Sequence, residues 1–258
     1  MSSQPDTAVL RDTLPSKALQ RFKDRVQYFA SDLELADILI RKLRALEDDE
    51  QSLCEAFEGQ ADRHLLLHSR RNTVASRNIV GTHFRRTVQG AVIKELHEEF
   101  SEYLATALGR AALAGVDPNR FTGEVKIDIK AAELLSAGSW EAVVNVISAK
   151  IFRALENEKS TKKLIKKIAD RVGLDIEDAP LDAAMPYLDA RHILVHADGV
   201  ADETYIASYP DIDLTDGKLV VNFAFVTAAR TTIEALASHI DAKFCEKNLV
   251  PPEFLVGG

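Results

Sequence analysis

The sequence predicts an all-α protein: an antiparallel helical bundle with a long N-terminal helix and a small hairpin insertion before the last helix. Three observations predict it. Apolar residues recur at three- and four-residue spacings over most of the chain, which gathers them on one stripe of a helix. Alternation of apolar and polar residues, the mark of a half-buried strand, occurs only briefly, at Val125, Ile127 and Ile129. Asp216-Gly217, set between apolar stretches that end at Leu214 and resume at Leu219-Val220-Val221, carries the turn chemistry of a tight hairpin.

Taken in order, Leu19, Phe22, Val26, Phe29 and Leu33 make one stripe, and Ile38, Ile40 and Leu43 continue it. A long helix over Ser16 to Ala45 follows, read as an arm beside the main domain, and the acidic run Glu47-Asp48-Asp49-Glu50 ends it. Phe84, Val88, Val92, Leu96, Phe100, Tyr103 and Leu104 predict a second long helix over Thr73 to Leu113, closed by the turn residues Gly115 to Asn119. Ser139 reads as an N-cap for a helix carrying Trp140, Val143, Val144, Ile147 and Ile151, with Trp140 as a core anchor rather than a stacking platform. Lys159 to Val172 is amphipathic and stops at Gly173. Pro186 is placed in the first turn of a helix running to Ala197, with Gly199 as its stop. The last helix covers Phe223 to Lys247, with Val226, Ile233, Leu236, Ile240 and Phe244 inward.

With 46% apolar and 28% charged residues in 258, the chain can bury a sizeable core as one large domain or one domain with an extension. No apolar stretch approaches the roughly 18 residues that span a bilayer. The N-terminal MSSQPDTAVLRDTLPSK has no apolar core of a secretory signal. Cys54 and Cys245 stand in unrelated contexts, which excludes a cysteine framework. The expectation is a cytoplasmic protein with no membrane contact. A formal net charge of −8 and a pI near 5.4 disfavour non-specific nucleic-acid binding. The basic residues are nonetheless clustered. One run extends from Arg63 to Lys94 and includes Arg77 and Arg85; another extends from Lys159 to Arg171 and includes Lys163 and Lys167. Each is either a solvated helix face or part of a positive groove for a phosphodiester chain.

The segment with chemistry is Arg191-His192-Ile193-Leu194-Val195-His196, near a helix C-terminus and followed by Asp198-Gly199. An arginine, a polar residue, a short apolar spacer and a histidine, then a turn and a final amphipathic helix, resemble the HEPN superfamily, in particular its RiboL-PSP-associated type. The resemblance covers about Thr73 to Lys247 and is carried by Tyr187 to Phe244. It implies a metal-independent endoribonuclease that acts as a homodimer on RNA and leaves a 2′,3′-cyclic phosphate. It also implies a toxin or antiviral-defence role, a neutralising protein partner, and neither cofactor nor metal.

By the same resemblance His196 is the general base or acid, Arg191 the phosphate clamp, and His192 fills the polar second position. An acid on the preceding long helix braces the arginine; of Glu95, Glu98 and Glu99, Glu98 is the choice. The chemistry suits these residue types. Imidazole titrates near neutral pH, and a guanidinium stays charged and grips phosphate through paired hydrogen bonds. On an ideal helix, however, Arg191 and His196 stand roughly 140° apart, whereas His192 and His196 share a face.

Other readings stay open. His192/His196 and His64/His68 have the spacing of helical metal ligands, though neither helix carries the glutamate of HExxH. Arg63-His64-x3-His68 and Arg77-Asn78-x4-His83 repeat the arginine–histidine pattern without its downstream context. A non-catalytic helical module for dimerisation, RNA binding or protein binding also satisfies the sequence. The expected organisation is a disordered stretch 1–15, a helical extension 16–60, the HEPN-like domain 61–247 and a flexible tail 248–258.

Overall fold

The computed structural model describes residues 14–158 and 160–258. Its helices are α1 (Lys17–Ala45), α2 (Leu53–Ala56), α3 (Leu65–His68), α4 (Val74–Leu113), α5 (Pro118–Thr122), α6 (Ala131–Ser136), α7 (Trp140–Glu156), α8 (Thr161–Val172), α9 (Asp178–His196), α10 (Glu203–Ser208) and α11 (Phe223–Glu246). Strands β1 (Leu214–Thr215) and β2 (Lys218–Leu219) form the hairpin before α11, and a 3-10 turn covers Pro252–Phe254. The expected all-α bundle with its long N-terminal helix is present, and none of the described helices is long and apolar enough to cross a membrane.

Local chemistry accounts for the helix starts. Ser16, Thr73, Ser139, Ser160, Asp202 and Asn222 each accept a hydrogen bond from the backbone N–H three residues on, which satisfies a donor that the first turn leaves unpaired. Gly173 ends α8 with φ +76, and Asp216 and Gly217 turn the hairpin with φ 51 and 75. Helix α9 begins earlier than expected. Pro180, not Pro186, occupies its first turn, where a missing N–H costs nothing, and Pro186 lies inside the helix.

The core is built around α4. Helix α1 packs along its length, and α7, α9 and α11 pack against its C-terminal half. Phe22, Phe100 and Tyr103 meet with ring centroids 6.0–6.3 Å apart. Around them lie Val26, Leu96, Leu104, Ile151, Ile165, Leu181, Ile233, Leu236 and Phe244, all buried. Helix α1 therefore shares this core instead of standing beside it. The expected flexible tail also belongs to it: Val250 and Leu255 are buried, and the Val256 N–H donates to Pro15 O at 3.0 Å. The expected disorder at 1–15 concerns residues outside those described, except Leu14 and Pro15.

Three apolar expectations change. Trp140 is 72% exposed, because it starts α7 beside the point where α4 stops at Leu113. Ile38 and Phe84 are exposed as well; the far ends of α1 and α4 touch instead through Ile40, Leu43 and Gly81. Val125, Ile127 and Ile129 are half-buried as alternation implies, but they join no strand.

Candidate functional site

Helix α9 carries the arginine–histidine segment to its C-terminus. Two consecutive left-handed residues, Asp198 (φ 49) and Gly199 (φ 81), stop the helix there, and the Gly199 N–H returns to Ile193 O at 3.1 Å. The hairpin holds the exit: Ala201 N donates to Gly217 O and Leu219 N to Gly199 O, both at 2.9 Å, while Lys218 bridges Asp198 at 2.7 Å. The residues beyond the helix end are thus fixed by backbone bonds.

Arg191 reaches across to α4, where its Nη2 donates to Glu98 Oε1 at 3.1 Å. Glu99 does not take this place; it pairs with Arg25 at 2.9 Å. Around the Arg191–Glu98 pair stand His97 and Glu156. Burial, reinforced by the Arg191 charge, pushes the His97 imidazole below its ordinary pKa, against the pull of Glu98. Burial and then the charge of Glu98 push the Glu156 carboxyl up. The Nδ1 of His97 and the Nε of Arg191 are buried and have no hydrogen-bond partner among the described residues. The motif arginine thus sits in a partly desolvated cluster, where its charge acts at longer range than it would in water.

His192 and His196 stack on the other side of α9, with ring centroids 4.9 Å apart and planes at 47°, and both are exposed. Their neighbourhood is Asp189. Burial raises the Asp189 carboxyl, and the hydroxyls of Tyr209 and Thr161 and the nearby His192 pull it back. Tyr209 donates to it at 2.5 Å. Within one chain, then, the structure brings together Arg191 with Glu98 and His192 with His196, but no hydrogen bond joins the two pairs. The roughly 140° between them on the helix is not closed by a loosened last turn.

The chain shows no match to any family model, curated protein or solved structure.

The four expected RNA-binding residues fare differently. Arg77 is not available to a ligand. It is buried, pairs with Asp48 at 2.8 Å and donates to Asn72 Oδ1 at 2.7 Å, locking the acidic loop after α1 onto the start of α4. Arg85 faces the crevice between α1 and α4, beside Asp37 and Ile40. Lys167 is bridged to Glu158 at 2.6 Å; Lys163 is exposed, with its charge also acting on Glu158. Lys162 and Lys166 are likewise paired, with Asp182 and Asp178. The second basic run is therefore largely neutralised by its neighbours; its first member, Lys159, lies outside the described residues.

Among the described residues no three His, Cys, Asp or Glu side chains gather as metal ligands. His64 Nδ1 accepts from Gln60 N at 3.0 Å, and His68 Nδ1 lies 3.3 Å from Ser52 Oγ, so these two rings are engaged separately.

Sequence reasoning missed His97 and Glu156. It offered the Arg63–Lys94 run as part of a positive groove without its other wall; the structure has a trough of about 890 Å³ between α4 and the end of α9, lined by Asn78, His83, Arg86, Gly90, Lys94 and Leu194 among others. The signal for the trough was present: Asn78, His83, Arg86, Gly90 and Lys94 recur at three- to five-residue spacings along a single helix.

Proposed function

We propose that the protein is a metal-independent endoribonuclease of HEPN type. The carrying observation is the Arg191–Glu98 bridge. It fixes a guanidinium in the last two turns of α9, the stretch that also carries the exposed pair His192 and His196, and that guanidinium retains a buried Nε–H with no partner among the described residues. Attack by a ribose 2′-OH on its own phosphate needs a base, a proton donor for the leaving 5′-oxygen and a cation at the non-bridging oxygens. His196 and His192 supply the proton-transfer groups and Arg191 the cation. Because Arg191 and His196 stand on different sides of one helix, a complete site takes Arg191 from one protomer and His196 from its partner.

Purified protein incubated with a mixed RNA pool in EDTA tests this. Wild type should cut and leave 2′,3′-cyclic ends. The variants H196A and R191A should lose at least about 100-fold in rate, the range of a lost general acid or base. Intact RNA with wild type, or equal cutting by H196A, overturns the reading. The separation of Arg191 from His196 within a chain favours a second reading, a non-catalytic helical module. RNA binding without cleavage, unchanged in H196A, would establish it.

A further inference from the structure

We infer that the trough between α4 and the end of α9 is a binding path for the sugar-phosphate backbone of a single-stranded nucleic acid. The choice of RNA as its natural occupant rests on the reading above; the binding itself does not.

Four observations carry the inference. The first is length. The lining runs along α4 from Asn78 to Glu95, and at 1.5 Å per residue this is about 25 Å, longer than a mononucleotide needs. The second is charge. Arg86 and Lys94 line the trough and form no ion pair among the described residues, unlike Arg77, Lys162, Lys166 and Lys167, which are all paired elsewhere. Of the acids present, Asp198 is bridged to Lys218 and also feels the Arg86 charge, leaving Glu95 as the one acid set against Arg86 and Lys94. The trough is therefore locally positive in a chain whose formal net charge is −8, and such a cleft attracts a polyanion that the surrounding surface repels.

The third observation is the floor. Gly90 lies mid-helix, and a Cβ built on it meets nothing within 4 Å. Glycine there weakens α4 by about 0.5–1 kcal/mol relative to alanine, with no packing demand from the protein itself. Its flanking groups are Thr87 and Ala91, so the middle of the trough is shallow-walled and lined by small side chains and hydroxyls. Asn78 and Thr82 offer hydrogen-bond donors suited to phosphate and ribose oxygens, while the Thr87 hydroxyl donates to His83 O. The fourth is continuity. Leu194, which forms part of one wall, lies one turn from Arg191 on α9, and Lys94 lies one turn from Glu98 on α4. The trough thus leads to the Arg191–Glu98 bridge. Its lining holds no Phe, Tyr or Trp, and the His83 imidazole is its one aromatic ring, so base stacking is a minor part of its grip and little sequence preference follows.

The test is fluorescence anisotropy with a labelled single-stranded DNA of about 12 nucleotides. DNA lacks the 2′-OH and so separates binding from cleavage. Wild type, R86Q/K94Q, G90E and H196A are compared over a range of salt. Losing two phosphate contacts lowers the salt slope by about 1.4, which corresponds to a roughly 20-fold weaker affinity near 0.1 M salt. R86Q/K94Q should show both changes. G90E, whose Cβ enters open space and which adds a carboxylate to the trough, should weaken binding comparably, and H196A should bind as wild type does. Circular dichroism confirms that these exposed substitutions leave the helices intact. Wild-type affinity and slope in R86Q/K94Q, or no DNA binding by wild type, overturn the proposal. If R86Q/K94Q binds normally while H196A loses RNA cleavage, the trough fails and the nuclease stands. If the trough variants lose DNA binding but no protein cuts RNA, the trough stands and the nuclease fails.

Discussion

Asp241 on α11 is 2% exposed, yet it is a carboxyl group. It holds the entry of the chain in place: Oδ2 accepts from Ser16 N at 2.9 Å and Oδ1 from Ser16 Oγ at 2.5 Å, with the Tyr103 hydroxyl at 3.4 Å. Burial raises its pKa, and the bonds from Ser16 and Tyr103 and the charge of Lys23 only partly offset that. The folded chain therefore holds this proton to higher pH than the unfolded chain does. The Asp241 contribution to stability is largest below the ordinary aspartate range. It declines as pH rises from there through the raised folded value, then levels. Urea midpoints measured against pH should show D241N lacking this decline; equal slopes in both proteins would refute it. D241A should lose about 1–3 kcal/mol below the ordinary aspartate range, since the buried Ser16 donors lose their acceptor. At this same scale the HEPN resemblance implied an acid of α4 beside Arg191 and chose Glu98, and the two side chains pair. The sequence misplaced Arg77, because a cation in a basic run looks identical whether it faces solvent or an acidic loop 29 residues away.

The helices were legible in the sequence because apolar spacing and caps agree. Ser16, Thr73 and Ser139 mark starts to within a residue, and Gly173 marks a stop. Less legible was which face a partner covers: Ile38 and Phe84 lie off the buried stripe, which runs through Ile40, Leu43 and Gly81, and Trp140 opens α7 where α4 has ended. The start of α9 was misread for a related reason, since either Pro180 or Pro186 could open a helix and only packing of Leu181, Ala184 and Met185 extends it to Asp178. Gly173 and Gly90 make a paired test of what glycine does in an element. At Gly173 an alanine Cβ meets a left-handed backbone and lies 2.8 Å from Arg120 Nη1, whose neighbouring Nε donates to Asp170 O at the end of α8. G173A should therefore cost about 1–2 kcal/mol. G90A, in open helical surroundings, should gain about 0.5–1 kcal/mol. Thermal unfolding of the two variants beside wild type checks both signs, and a gain at Gly173 would contradict the strain argument.

Across the whole molecule, both ends of the described chain close on one place. Ser16 bridges to Leu255, Val256 N donates to Pro15 O, and Lys17 Nζ donates to Glu253 O at 2.8 Å. Arg110 lies over the Phe254 ring at 3.4 Å and also pairs with Glu141, so the tail joins α4 and α7 as well as α1. Residues 248–258, expected as a flexible tail, carry Pro251-Pro252 and no helical periodicity. Neither prevents an irregular segment from burying side chains. Val250 and Leu255 each expose less than a tenth of their surface, and full burial of such a residue contributes about 1.5–3 kcal/mol. Removing residues 249–258 should therefore cost several kcal/mol, most of the margin of a typical domain. It should also expose the Ser16–Asp241 anchor to water. The truncated protein should unfold at lower urea than wild type and show faster amide exchange at the start of α1 as well as at its own new end. Exchange confined to the new end, with an unchanged urea midpoint, would mean that the tail only rests on the bundle. Loss at both ends would mean that α1 depends on the tail for its place in the core, which couples the two ends of the described chain through the Ser16–Leu255 bridge and the Val256–Pro15 hydrogen bond.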